Sequence, residues 1–208
     1  MTKVLEKFTS QFNGEVKVVK NLAFGTYLQA ANLTQSGGII RDIWKSVFKK
    51  AKASEWKIEN ALILGLGGGT LVGVIKRQWP EAKITGVDID RDMVEMGKKY
   101  LKLNPDKVNI IISDATTFCK KEIKAKHTYD LICIDMYNGD EYPPQFEEIE
   151  FLKLVQKLLS NKGIAIFNRL YYGEKRKLSV KFSKKLSEVF STNDAIYPEA
   201  NVMFVCRK

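Results

Sequence analysis

Three aspartates, Asp88, Asp114 and Asp135, each close an apolar run, and a glycine-rich turn from Gly65 to Gly69 closes a fourth. Glycines at such a point let the backbone turn tightly and approach a ligand closely. An acid about twenty residues further on is placed to accept hydrogen bonds from ribose hydroxyls. Asp88 stands 23 residues after Gly65. Residues of these types at this spacing suit the binding of a nucleoside cofactor at the carboxyl edge of a parallel sheet. Aspartate is common after strands because it favours turns and caps helices, so one such acid would mean little. Three of them beside a glycine turn carry more weight.

The elements that must position these residues follow from the pattern. Ala61–Leu64 reads as a buried strand. The glycine turn leads into a helix stopped by Pro80, and Lys83–Asp88 is a second strand. A helix over 91–101 follows, capped by Asp90 and stopped by Asn104-Pro105. Strand 108–113, a short helix over 115–123, strand 129–135, a helix over 144–159, strand 163–169 and a helix over 174–190 continue the alternation. Two strand-like runs, 194–198 and 201–207, end the chain. Only Glu199 and Ala200 separate them, which forbids a parallel crossover and predicts an antiparallel hairpin. Before residue 58 the pattern differs: strands 15–20 and 24–30 form a β-hairpin, Gln35-Ser36-Gly37-Gly38 breaks the pattern, and 39–52 has helical spacing. The expected organisation is a β-hairpin module with a connecting helix over 1–57 and a nucleotide-binding domain over 58–208.

Composition excludes several classes. A length of 208 residues at 45% hydrophobic content suits one domain with a small appendage. No apolar run is long enough to span a membrane, and the first residues carry no signal core. Cys119, Cys133 and Cys206 show no paired spacing, so a cytoplasmic protein with reduced thiols is expected. The net charge of +10 raises nucleic-acid binding, but 28 Lys against 6 Arg weigh against it, since Arg is the usual reader of phosphates and base edges. There is no G-x-S-x-G elbow and no H-E-x-x-H, and the single histidine, His127, sits in a basic loop, so no metal site is expected.

The glycine turn departs from the dinucleotide fingerprint, whose third glycine position is Thr70 here. Five parallel strands followed by an antiparallel hairpin, with LILGLGGGT, GVDID, SDA and DLICIDMYNGD at the strand ends, resemble the spermidine synthase-like branch of the class I S-adenosylmethionine-dependent methyltransferases. The resemblance implies an α/β, Rossmann-like fold with a seven-stranded sheet whose last strand is antiparallel. It implies that Gly65, Leu66, Gly67 and Gly69 line the donor's tail, with Asp88 on the ribose and Ile89 against the adenine. Asp114 and Ala115 would hold the adenine end, and Gln35 would reach the donor from the N-terminal module. Asp135 would stand at the reaction centre to orient an amine or take its proton, with Tyr137 walling the pocket or bonding the acceptor. It also implies a homodimer.

Departures from that family bear on the group transferred. Its aminopropyltransferases resemble G-G-G-D-G in the turn and D-S-S-D after the fourth strand, where this chain has GLGGGT and Asp135-Met136-Tyr137-Asn138. These differences favour S-adenosylmethionine and methyl transfer to a small acceptor over decarboxylated S-adenosylmethionine and aminopropyl transfer. The stretch 135–150 holds six acids and no base, and is expected to form an acidic rim for a cationic acceptor. A nucleoside-binding protein without catalysis and an RNA-directed enzyme are the remaining readings.

Overall fold

The computed structural model describes residues 2–208. Four strands come first: β1 (Thr2–Ser10), β2 (Gly14–Asn21), β3 (Gly25–Ala30) and β4 (Leu33–Gly37). Helix α1 (Ile40–Lys50) then leads to β5 (Asn60–Leu64), α2 (Thr70–Gln78), β6 (Lys83–Asp88), α3 (Arg91–Tyr100) and β7 (Asn109–Ile112). The remainder is α4 (Ala115–Lys124), β8 (Tyr129–Ile134), α5 (Ile149–Leu158), β9 (Leu159–Leu170), α6 (Lys175–Val189), β10 (Thr192–Ile196) and β11 (Asn201–Arg207).

The large sheet has seven strands in the order β10-β11-β9-β8-β5-β6-β7. Strands β5 to β9 run parallel, β11 is antiparallel to β9, and β10 is antiparallel to β11. Strand order reverses at β5, with β6 on one side and β8 on the other, and such a switch point opens a crevice at the carboxyl ends. Strands β5 and β8 are apolar on both faces because both faces are covered. Ala61 and Ile63 face the core built with α1 and α2, while Leu62 and Leu64 face the core built with α4, α5 and α6. That alternation is the two-residue period of a strand.

The N-terminal module is a four-stranded antiparallel sheet, β1-β2-β3-β4, larger than the expected hairpin. Strand β1 escapes the alternation pattern because it is largely exposed and carries a bulge between Val4 and Glu6. Strand β4 contains Gln35, Ser36 and Gly37, which the sequence reads as a break. Val16, Val18, Leu28 and Ala30 pack against Met93 of α3. The expected helix over 144–159 is instead a 3-10 turn, Pro144–Glu147, followed by α5. Strand β9 starts at Leu159, directly after α5, and its register with β8 jumps from Leu159 to Ile164, which places Gly163 inside an irregular strand. No helix among the described residues is long and apolar enough to cross a membrane.

Helix α3 presses directly on the glycine turn. A Cβ at Gly97 would lie 2.6 Å from the Gly68 backbone. Gly97→Ala should therefore lower stability by about 2 kcal/mol, because backbone cannot yield as a side chain can. Gly73→Ala, on an exposed position of α2 with nothing within 4 Å, should raise it by about 0.5–1 kcal/mol. Urea unfolding of the two variants checks both signs.

Candidate functional site

A cavity of about 460 Å³ opens at the carboxyl ends of the strands. Four consecutive strand ends supply one wall: Gly65–Gly67, Asp88–Asp90, Ser113–Ala115 and Asp135–Tyr137. The N-terminal module closes another through Phe12, Asn13, Gln35 and Ser36, and Asn168, Tyr172, Glu199 and Asn201 complete the far end.

The glycine turn is held by its own amides. Gly65 sits at φ 87°, and a Cβ there would collide with the carbonyl of Asp135. Only glycine lets the turn pass so close to the end of β8. The amides of Gly65 and Leu66 donate to Val87 O (2.9 and 3.0 Å), and that of Gly69 to Leu66 O (2.9 Å). Gly67 N–H donates to Asp88 Oδ2 (2.5 Å) and Gly68 N–H to Ser36 Oγ (3.0 Å). Thr70 Oγ1 accepts from Gly37 N–H (2.6 Å) and lies 3.0 Å from Ser36 Oγ, so the residue that breaks the dinucleotide fingerprint ties α2 to the N-terminal sheet. Leu66 is buried beneath the turn, against Gly86. Gly69, expected at the donor's tail, is not among the lining residues. It caps α2 in a left-handed conformation (φ 80°), with the Leu103 side chain against it.

Asp88 accepts from Gly67 N–H on one oxygen and from Asp90 N–H on the other (2.8 Å). Burial nonetheless pushes its carboxyl up to about 6, against the lowering effect of those amides. Ile89 is 42% exposed and presents an apolar surface beside it. Asp114 caps α4 by accepting from Thr117 N–H on Oδ1 (2.8 Å) and also lines the cavity, with Ala115. Asp90 caps α3 as expected, and its second oxygen receives Ser10 Oγ–H and Asn13 Nδ2 (2.7 Å), a buried clasp between the two sheets that sequence patterning does not show.

Asp135, half-buried on the floor, accepts from Asn168 Nδ2 on Oδ1 (2.7 Å) and from Trp44 Nε1 on Oδ2 (3.1 Å). Burial raises its proton affinity and the two donors oppose that rise. Tyr137 lines the cavity, but its hydroxyl accepts from Leu170 N–H (2.7 Å), and burial raises its proton affinity too. Gln35 lines the cavity as expected, yet its amide donates to Gly139 O (2.7 Å) and so holds the loop after β8. Trp44, Ser36, Asn168 and Asn201 belong to the site without standing in any motif of the sequence. Asn168 alone had a readable signal, a polar residue near the carboxyl end of an apolar strand.

The acidic run does not form the expected rim. Asp140 pairs with Lys175 (3.7 Å), Glu148 with Lys185 (3.5 Å) and Glu147 with the buried Arg169. None of Asp140, Glu141, Glu147, Glu148 and Glu150 lines the cavity. The negative charge comes instead from Asp88, Asp90, Asp114, Asp135 and Glu199, and no Lys, Arg or His is among the lining residues.

The sheet order, the reversed β11 and the glycine turn beneath Asp88 are those of a class I S-adenosylmethionine-dependent methyltransferase fold. Human methyltransferase-like protein 13, solved in complex with SAH, superposes with a TM-score of 0.64 at 23% identity over 81% of this chain and 79% of that one. More narrowly, the model of the spermine/spermidine synthase domain matches residues 45–202, and the chain belongs to that family. A polyamine aminopropyltransferase of Vibrio vulnificus is 30% identical over 113 residues, 54% of this chain and 38% of that protein. An eEF1A lysine and N-terminal methyltransferase homolog of Drosophila melanogaster is 29% identical over 117 residues, 53% of this chain and 17% of that protein. Both relatives are transferases by name, and the chain spans less than two fifths of either.

The state of Asp88 gives a direct test. Its folded value lies above the ordinary 3.8, so between about 4 and about 6 the folded protein holds more protons than the unfolded chain at this site. Its contribution to stability therefore falls as pH rises through that window. Carbon-13 NMR of the unliganded protein should show Asp88 titrating near 6, while a midpoint near 4 would mean that water reaches it freely.

Proposed function

We propose that this chain is a transferase that moves an alkyl group from an adenosyl sulfonium donor to the amine of a small, cationic acceptor. One observation carries the reading: five carboxylates and no basic side chain line the cavity of a protein whose formal net charge is +10. A cleft lined by one sign of charge focuses its field and gathers ligands of the other sign. Sulfonium and ammonium groups both suit it. Membership of the spermine/spermidine synthase domain family supports the same chemistry.

In this reading Asp88 accepts from the ribose hydroxyls, Ile89 packs on the adenine, and the oxygen of Asp114 that does not cap α4 takes the adenine amine. The acceptor's ammonium gives a proton to Asp135. The lone pair so freed forms an N–C bond while the C–S bond breaks, and its electron pair stays on sulfur, which becomes a neutral thioether. The sulfonium is already a good leaving group, so the protein mainly holds donor carbon and acceptor nitrogen in line at about 3 Å in a dry pocket.

Methyl transfer from S-adenosylmethionine is the first reading of the group moved. Counted along G-G-G-D-G, the acid of the aminopropyltransferases falls at Gly68. A Cβ there would meet Leu101, Ser36 and Leu28 side chains at 2.6–3.1 Å, so a carboxylate at this point of the turn, to grip a propylamine, requires the Leu101 side chain to move aside. A second reading, aminopropyl transfer from the decarboxylated donor, is favoured by the lack of any lining base or unoccupied amide within Gly65–Gly69 to meet a donor carboxylate. Calorimetry with the two donors separates them. Tighter binding of S-adenosylmethionine supports methyl transfer, tighter binding of the decarboxylated donor replaces it with aminopropyl transfer, and binding of neither removes both. Asp135→Asn should keep donor affinity and lower turnover by about 100-fold, the scale of a lost general base. Single-turnover kinetics measure this, and an unchanged rate would take Asp135 out of the chemistry.

A further inference from the structure

Asn168 and Asn201 are buried polar side chains in the sheet, 3% and 7% exposed. They form a chain with one possible direction. Asp135 as a carboxylate can only accept, so the end of the Asn168 amide that faces it, at 2.7 Å, must be the NH2 group. That leaves Asn168 Oδ1 as an acceptor, and Asn201 Nδ2 donates to it at 2.8 Å. Each amide thus fixes the flip of the next.

The far end of the chain lies at the acceptor side of the cavity. Asn201 is the first residue of β11 and follows Glu199 and Ala200, and all three line the cavity. Glu199 holds a left-handed backbone (φ 50°), uncommon for a residue other than glycine. The turn is also pinned to β9: Tyr171 N–H donates to Ala200 O (2.7 Å), and Asn201 stands opposite Leu170 in register. Two neutral donors reach Asp135, Trp44 from α1 and Asn168 from β9. The titratable groups that feel its charge are Tyr137 and Tyr142 from the segment after β8 and the buried Cys133, two residues before it.

We propose that Asn201 is a positioning residue for the transfer: through Asn168 it sets the orientation of Asp135, and so couples the β10–β11 turn that walls the acceptor end to the group that receives the acceptor. This rests on the reading that Asp135 meets the acceptor amine. Asn201 touches neither reacting atom. It acts by keeping the Asn168 NH2 group on Asp135, which leaves the remaining lone pairs of that carboxylate directed to the cavity.

Two near-isosteric variants test this in the full chain. Asn201→Leu removes the donor, and Asn201→Asp replaces it with an acceptor, which drives Asn168 to turn its NH2 away from Asp135. Carbon-13 NMR of Asp135 should show a midpoint raised in Asn201→Leu, because the Asn168 amide is no longer held with its NH2 group on the charged form, and raised further, by about one pH unit, in Asn201→Asp, where a second carboxylate adds its repulsion. The acid limb of the pH profile of transfer should move by the same amount, with the KM for acceptor rising more than that for donor. Should Asn201→Asp fail to fold, the Asn201→Leu midpoint serves alone. Loss of stability with an unmoved Asp135 midpoint would reduce Asn201 to a packing residue and overturn the inference. A moved midpoint with an unmoved pH profile would also overturn it, and would at the same time remove Asp135 from the reaction.

Discussion

The hydrogen bond from Gly67 N–H to Asp88 joins the turn after β5 to the end of β6, and the cavity is organised around that bond. A carboxylate buried there costs free energy unless donors meet it. Two backbone amides do so, and one of them comes from the turn itself. The turn reaches this geometry only because Gly65 passes against the carbonyl of Asp135 and Gly68 lies under α3. Three strand ends and one helix therefore share a single constraint, and a change in any of them is felt by the acid of β6.

The N-terminal sheet is part of the same arrangement. Ser36 supplies the hydroxyl that meets the Gly68 amide, and Ser10 and Asn13 meet the second oxygen of Asp90. Asn13 and Gln35 grip Gly139 from both sides of its peptide, the first accepting from its N–H (3.1 Å) and the second donating to its carbonyl. A module that sequence patterning reads as an appendage thus completes the polar bonding of the nucleotide turn and fixes the loop after β8.

What was legible in the sequence was whatever is local. Strands β5 and β8 show as continuous apolar runs because both their faces are buried, and Asp90 shows as a cap because its partners lie two and three residues away. The three strand-end aspartates followed from strand ends and spacing. Strands β1 and β4 were not legible, one because a bulge and exposure erase its alternation, the other because its residues are polar and small. The bonds of Trp44, Asn168 and Asn201 to Asp135 and to one another join residues 33 to 91 positions apart, and no local pattern encodes them. The acidic run misleads for a related reason: three of its carboxylates, Asp140, Glu147 and Glu148, have counterions on β9 and α6 that only the fold brings near.

The charge of the cavity also bears on how a cycle would end. On the proposed reaction the donor sulfur arrives as a cation and leaves as an uncharged thioether, while Asp135 alone among the lining carboxylates takes up a proton. The attraction of those walls for the sulfonium is switched off by the chemistry itself. Spent cofactor has lost that charge, and a fresh sulfonium outcompetes it for the same walls. An acid-lined pocket in a basic protein is in this sense a device for turnover as much as for capture.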